Sequence, residues 1–222
     1  ASYSNVGLSQ ALSVTGTSGA GSDAKIVFTG AGGTADAYTI NFNAAVTGTA
    51  TAPTAVNARA VTIENIENVT INSGATGGVA ANAITLTDTT ARNLTITGSQ
   101  EITVSFGNFG TAGTNGVNID ASAATGAVKL NIGASVGLVT DGSTVKTGAG
   151  ADVITVGAIT GQFSLTTGGG KDVIDVSGMT GAFGTGATTA SHLTITDFST
   201  SDTLRFKDAG VVETFATTKV DL

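Results

Sequence analysis

The sequence predicts an all-β chain, wound as a parallel β-helix or β-roll solenoid of short strands joined by Gly-rich turns. Three observations predict it. A nine-residue phrase occurs twice, as T-G-A-G-A-D-V-I-T over residues 147–155 and as T-G-G-G-K-D-V-I-D over residues 167–175, in register at a spacing of 20. Short runs of alternating apolar and polar residues, rich in Val, Ile and Thr, recur at intervals too brief for helical crossovers. The chain of 222 residues holds 32 Gly, no Trp and 5% aromatic residues, so a narrow interior of small β-branched side chains suits it better than a globular core.

The repeated phrase organises the rest. Gly148, Gly150, Gly168 and Gly170 let the backbone turn tightly and aim carbonyl oxygens at one spot. Asp152 and Asp172 follow these loops as charged oxygen ligands, and a short apolar strand follows each aspartate. Calcium, a hard cation taking six to eight oxygens, many of them backbone carbonyls, is the ion such a loop would take. A 20-residue period is one full coil of a parallel solenoid, so the two loops should stack on one edge and share ions.

Both phrases resemble the G-G-x-G-x-D-x-U-x nonapeptide of RTX proteins, in which U is a large apolar residue. Gly148, Gly150, Asp152 and Ile154 match one copy, and Gly168, Gly170, Asp172 and Ile174 the other. Thr147 and Thr167 stand where the consensus has its first glycine, a departure expected to weaken the outer turn. RTX coils carry motifs on both sides. Here one side carries the full motif, so few ions are expected rather than a long calcium ladder. Asp175, inside the second phrase, joins the candidate metal ligands.

Taken in order, residues 12–15, 25–29 and 38–43 alternate as strands. The segments G-A-G-S-D ending at Asp23 and G-A-G-G-T-A-D ending at Asp36 echo the later loops faintly; both aspartates are candidate ligands, or else exposed turn residues. Residues 47–55, with the single proline Pro53, form a surface loop. Residues 61–72, 83–87, 93–97 and 101–106 are the clearest strand series, with Thr outward. Their spacing allows an antiparallel meander or a solenoid, and the later repeat favours the solenoid. Asn65, Asn68, Asn72 and Asn93 are either stacked corner amides or ordinary turn residues.

The phrase I-E-N-I-E-N-V-T-I over residues 63–71 is similar to I-E-N-I segments of surface-layer (S-layer) proteins of Gram-negative bacteria, such as those of Caulobacter and Campylobacter. Glu64 and Glu67 are solvated strand-end charges in the plain reading and ion ligands in the alternative. Further strands are expected at 117–120, 128–132 and 143–146, and Asp141, in the turn before the first nonapeptide, is placed to complete its site. Residues 178–190 make a flexible Gly/Thr loop. The pattern I-x-D-F-x3-D-x-L-x-F over residues 195–206 resembles the strand pair that closes many RTX rolls. That resemblance brings Asp197 and Asp202 to the last calcium and makes Phe198, Leu204 and Phe206 a plug for the open apolar end. The plain reading is a hairpin with turn aspartates. Residues 1–140 thus form a Thr/Gly-rich solenoid part and 141–222 the RTX-like part, expected as one continuous solenoid.

Charge and composition exclude several functions. A net charge of −7 and a pI near 4.4 oppose nucleic-acid binding, which needs basic patches. With no Cys there is no disulfide framework and no thiol chemistry, and one His cannot build a zinc site. No apolar run approaches the 18 residues of a membrane span. Neither an initiator Met nor a signal peptide precedes Ala1, as expected of a fragment of a longer chain. His192 lies in an expected strand, and no G-x-S-x-G elbow occurs, so no enzyme is expected. The enzymatic alternative is a β-helix polysaccharide lyase, but Arg59, Arg92 and Arg205 are scattered and there is no Trp platform. The expectation is therefore a secreted, non-enzymatic structural protein of an S-layer at the cell surface. Calcium (Ca2+) would stabilise it, and copies of the chain would be its partners in a two-dimensional array. Lipopolysaccharide would be reached through a segment outside this chain. An RTX adhesin or the calcium-folding tail of a type I secreted protein is the alternative.

Overall fold

Alternation with a period of two places one apolar face on each strand, and two such faces packed together exclude water. The computed structural model describes residues 1–110, 116–133, 142–157, 162–179, 192–208 and 211–215. Among these residues the chain is all-β, without a helix. One sheet, sheet A, is formed by β1 (Ser2–Gly7), β3 (Ala24–Thr29), β5 (Thr54–Ile63), β7 (Ala80–Asp88), β9 (Glu101–Phe109), β11 (Val128–Ile132), β13 (Val153–Val156), β15 (Val173–Asp175), β17 (Thr203–Asp208) and β18 (Val211–Phe215), in that order. Sheet B is formed by β2 (Ala11–Val14), β4 (Ala37–Phe42), β6 (Asn68–Ser73), β8 (Asn93–Gly98), β10 (Asn118–Asp120), β12 (Ser143–Lys146), β14 (Gln162–Thr166) and β16 (His192–Ile195).

From β1 to β17 successive strands alternate between the sheets, and each of β1 to β15 pairs in parallel with the strand two places on. This is a two-sheet solenoid, and a meander is excluded. The one antiparallel pair among the described strands is β17 with β18, which ends sheet A. Because β16 and β17 lie in different sheets, the expected closing pair is not a hairpin; β17 and β18 are. Strand order runs without interruption across residue 140, since β10 pairs β12 and β11 pairs β13.

Inward side chains stack in register from coil to coil. In sheet A the column Ile84, Val104, Leu130, Ile154, Ile174 and Leu204 runs through six strands. In sheet B, Tyr38, Val69, Leu94, Ile119, Val145 and Leu165 do the same. All but Leu204 are buried. Each such side chain contributes roughly 1.5–3 kcal/mol by burial, so the columns carry the fold. Phe198, Leu204 and Phe206 pack partly buried against the core at the C-terminal end.

Coil length is not constant, because both strands and corners vary: β5 has 10 residues and β10 and β15 have 3. Val153 pairs with Val173 and Ser143 with Phe163, a coil of 20 residues. Ile102 pairs with Val128 and Gln162 with His192, steps of 26 and 30. The run 61–72, read from the sequence as one strand, is broken at residues 64–67. Asn65 takes a positive φ of 63°, a conformation Asn tolerates, and buried Ile66 turns the corner into the core. The I-E-N-I phrase is therefore a corner.

Candidate functional site

Every coil has two corners, one leading from sheet B to sheet A and one leading back. Both nonapeptide loops lie on the first kind. They connect β12 to β13 and β14 to β15, so the two copies stack directly, as the 20-residue spacing requires. Gly168 has φ +79° and Gly170 φ +138°, both in the left-handed half of the map that favours glycine. A Cβ on Gly168 would overlap the Gly148 carbonyl oxygen, and one on Gly170 the Gly150 carbonyl oxygen. The loops thus touch backbone to backbone. A Cβ on Gly148 would in turn overlap the Ala124 carbonyl of the coil beneath.

The aspartates do not project to solvent. Asp152, Asp172 and Asp202 are 0%, 1% and 3% exposed and stack at the start of β13, β15 and β17. Each accepts a backbone N–H from the coil before it. Val128 N–H donates to Asp152 Oδ1 at 2.7 Å, Asp152 N–H to Asp172 Oδ1 at 2.9 Å, and Asp172 N–H to Asp202 Oδ1 at 3.1 Å. The result is a carboxylate ladder, each rung satisfying a donor that the corner would otherwise orphan.

One oxygen of each inner rung stays unused. Asp152 Oδ2 and Asp172 Oδ2 are buried with no hydrogen-bond partner. Burial pushes the Asp152 carboxyl up from its ordinary value, against the hydrogen bond from Val128 N–H and the lesser pull of the Thr147 hydroxyl and Gly148 N–H, which lie near it without making a well-formed bond to Oδ2. Burial also pushes Asp172 up to about 6, against the bond from Asp152 N–H, while the charges on Asp152 and Asp202 raise it further. A buried, half-satisfied carboxylate is costly, and it calls for a proton or a cation.

The last turn clamps the second loop. Asp197 Oδ1 accepts the Thr167 N–H at 2.9 Å and its Oδ2 the Gly168 N–H at 2.7 Å. Asp202 Oδ2 accepts the Ser199 N–H at 2.7 Å, and the Ser201 hydroxyl donates to the Gly170 carbonyl at 2.8 Å. Thr147 and Thr167, the departures from consensus, are buried. The Thr147 hydroxyl donates to the Thr167 carbonyl at 2.8 Å. Threonine here ties consecutive coils together, the reverse of the expected weakening of the turn.

The remaining candidates lie elsewhere. Asp175 ends β15, accepts from the Ser177 N–H at 3.0 Å and pairs with Arg205 at 3.4 Å. Asp141 falls outside the described residues. Asp23 is exposed. Asp36 lies on the opposite corner row, where its Oδ2 accepts Gly33 N–H and its own N–H donates to Glu67 Oε2, both at 2.9 Å. Glu64 pairs with Lys25 at 3.0 Å. Asn93 donates to Asn68 Oδ1 at 2.9 Å, a stacked amide pair, although it stands on the outer face of β6 and β8 rather than inside a corner.

Sequence reasoning missed Gln100 and Asp88 as members of the same architecture, and gave Glu67 another role. Gln100 Oε1 accepts the Ala80 N–H at 2.7 Å and so does on a neutral rung what the aspartates do later. Glu67 caps Asp36 in the same manner. Asp88 is fully buried, its Oδ1 held by the Thr90 N–H and hydroxyl at 2.9 and 2.8 Å and its Oδ2 without a partner. A signal existed for Asp88. The phrase D-x-[ST] ends three strands, at Asp88, Asp120 and Asp175, each carboxylate accepting from the residue two on.

Among the described residues no three acidic or His side chains cluster as metal ligands. The corner nevertheless fits a hard cation served largely by backbone. It offers two orphaned carboxylate oxygens, on Asp152 and Asp172, beside stacked Gly loops in which the Gly148 carbonyl lies against Gly168 and the Gly150 carbonyl against Gly170. No helix among the described residues is long and apolar enough to cross a membrane. No protein-family model matches the sequence, and neither does any curated protein or solved structure.

Proposed function

We propose that this chain is a calcium-stabilised, non-enzymatic structural protein of a bacterial S-layer, secreted to the cell surface, where copies assemble into a two-dimensional array. The observation that carries the proposal is the pair of buried, unpartnered oxygens Asp152 Oδ2 and Asp172 Oδ2 in stacked glycine loops. Asp152 and Asp172 would hold the ion, with carbonyls of the loops at 147–150 and 167–170 completing its shell. Bound calcium supplies the positive charge that lets both carboxylates stay ionised in a dry corner. Asp197 and Asp202 act one step away: they fix the second loop by its own N–H groups and so hold its carbonyls in place.

Calcium then couples folding to location. In low cytosolic calcium the ladder carries uncompensated buried charge, which keeps the corner open and the chain competent for type I secretion. In millimolar calcium outside the cell, binding to the folded state alone adds stability by mass action. A net charge of −7 also opposes contact between copies until cations are present. Lipopolysaccharide contact belongs to segments beyond this chain.

Far-UV circular dichroism with light scattering during a calcium titration, reversed by EGTA and controlled with magnesium, tests the reading. Calcium-specific gain of β signal followed by growth of particles supports it. Gain of β signal without growth assigns the chain to an RTX adhesin or secretion tail, and absence of any calcium response removes the calcium role.

A further inference from the structure

The two outer faces of the solenoid differ. Sheet A carries exposed and half-buried charges, including the pairs Glu101–Lys129 and Asp175–Arg205. Its ladders also break register at three places, between β1 and β3, β5 and β7, and β7 and β9. Sheet B has no register break in any of its described ladders. Among its described side chains the outward ones are mostly Thr, Asn and Ser, the others being Ala11, Ala37, Asp120 and Lys146. One column reads Thr39, Thr70, Thr95, Asp120, Lys146 and Thr166 on consecutive rungs. Asp120 and Lys146 are the charged members of that column, and they adjoin. The Asp120 carboxyl is held below its ordinary value first by the Ser122 hydroxyl and N–H, with Lys146 adding to the effect.

We propose that the outer face of sheet B is the surface through which two copies of this chain dock, related by a two-fold axis between the β10 and β12 rungs. The proposal rests on the self-assembling reading above and names its contact. Three physical arguments select this face and this occupant. In-register parallel strands without bulges give a flat surface that a second flat surface can meet. Thr, Asn and Ser lose less rotamer entropy on contact than Lys or Glu, and each can both donate and accept, or do either by turning. The adjacent Asp120 and Lys146 are self-complementary, because a two-fold axis between their rungs sets Asp120 of each copy opposite Lys146 of the other. The same axis sets Thr95 opposite Thr166 of the other copy. That axis lays six sheet B strands of each copy, β6 to β16, against the other copy, with β12 over β10, β14 over β8 and β16 over β6. At about 4.8 Å per strand and about 16 Å of strand length they give roughly 450 Å2 per copy. Such a contact, of order 900 Å2 in total, is a weak one, below the size of stable specific interfaces, and is suited to a repeating array of many contacts rather than to an isolated dimer.

The absence of cysteine from the native chain makes the test clean. Thr95→Cys and Thr166→Cys variants are mixed in calcium under mild oxidation, with Thr155→Cys on sheet A as the control. Preferential Thr95–Thr166 disulfides between copies, with little linkage through residue 155, are expected. Sedimentation velocity should show Lys146→Asp weakening association about tenfold or more and the exchanged pair Asp120→Lys with Lys146→Asp restoring it. A chain that folds in calcium yet gives equal linkage from both faces, or whose association ignores both charge variants, overturns this contact and leaves the calcium reading standing. Face-specific linkage in a chain that does not respond to calcium supports the contact and overturns the calcium reading instead.

Discussion

Asp88 shows what a single buried carboxyl does in this solenoid when no glycine loop stands beside it. Burial pushes it up to about 6, against the hydrogen bonds from Thr90, and the nearby Glu67 charge raises it further. The folded state therefore holds the proton to higher pH than the unfolded chain, in which the group titrates near 3.8. Stability from this residue is present at pH 4 and falls as pH rises through 6, by at most about 3 kcal/mol. Asp88→Asn removes the ionisation and keeps an acceptor for Thr90. It should melt within a degree or two of wild type at pH 4 and several degrees higher at pH 8, by of order 1–3 kcal/mol. Equal shifts at both pH values would show that ionisation of Asp88 is not what costs stability. Nothing at the level of type and spacing separates Asp88 from Asp120 and Asp175, which share its D-x-[ST] turn; the difference is that Asp88 points inward.

The corner loop is the element in which the sequence speaks most plainly. Repeated glycine, aspartate and β-branched residues at fixed spacing predicted two stacked turns followed by strands, and those turns occur. Two things were not legible there. The phrase does not say that the aspartates cap the preceding coil's backbone, because that partner comes from 20 to 24 residues away. Nor does it say that Thr147 and Thr167 face inward. Backbone contact between loops makes a sharp prediction. Gly168→Ala meets both the left-handed φ and the Gly148 carbonyl, and should cost about 2 kcal/mol or more. Gly169→Ala has open space at its Cβ and should change stability by no more than about 0.5 kcal/mol. Urea midpoints of the two variants, measured at equal m-values, separate a packed corner from a merely flexible one. Segment 61–72 carried a signal that the strand reading passed over: Ile63, Ile66 and Val69 are three residues apart, so Ile66 falls out of phase with the inward set Val61, Ile63, Val69 and Ile71, and the corner sits at that break.

Across the whole molecule, coils are tied by side chains reaching from one rung to the next. Ladder carboxylates, Gln100, the Asn68–Asn93 pair and the ion pairs Lys25–Glu64, Glu101–Lys129 and Asp175–Arg205 all join adjacent coils. A solenoid stabilised by neighbours alone behaves nearly as a one-dimensional array, so strengthening one pair of coils propagates outward. The solenoid class was readable from two in-register phrases. The full coil register was not, because corners of unequal length hide the period outside residues 143–175. Calcium at the Asp152–Asp172 corner is the central claim, and thermal melting of wild type and of the Asp152→Ala/Asp172→Ala double variant, each in EGTA and in millimolar calcium at pH 7.5, tests it most directly. At a hundredfold excess over Kd, calcium should add about 2.7 kcal/mol to wild type, a rise in Tm of roughly 5–10 °C, and leave the double variant unmoved. An equal rise in both proteins, or a wild-type Tm that calcium does not raise, would contradict calcium binding at this corner.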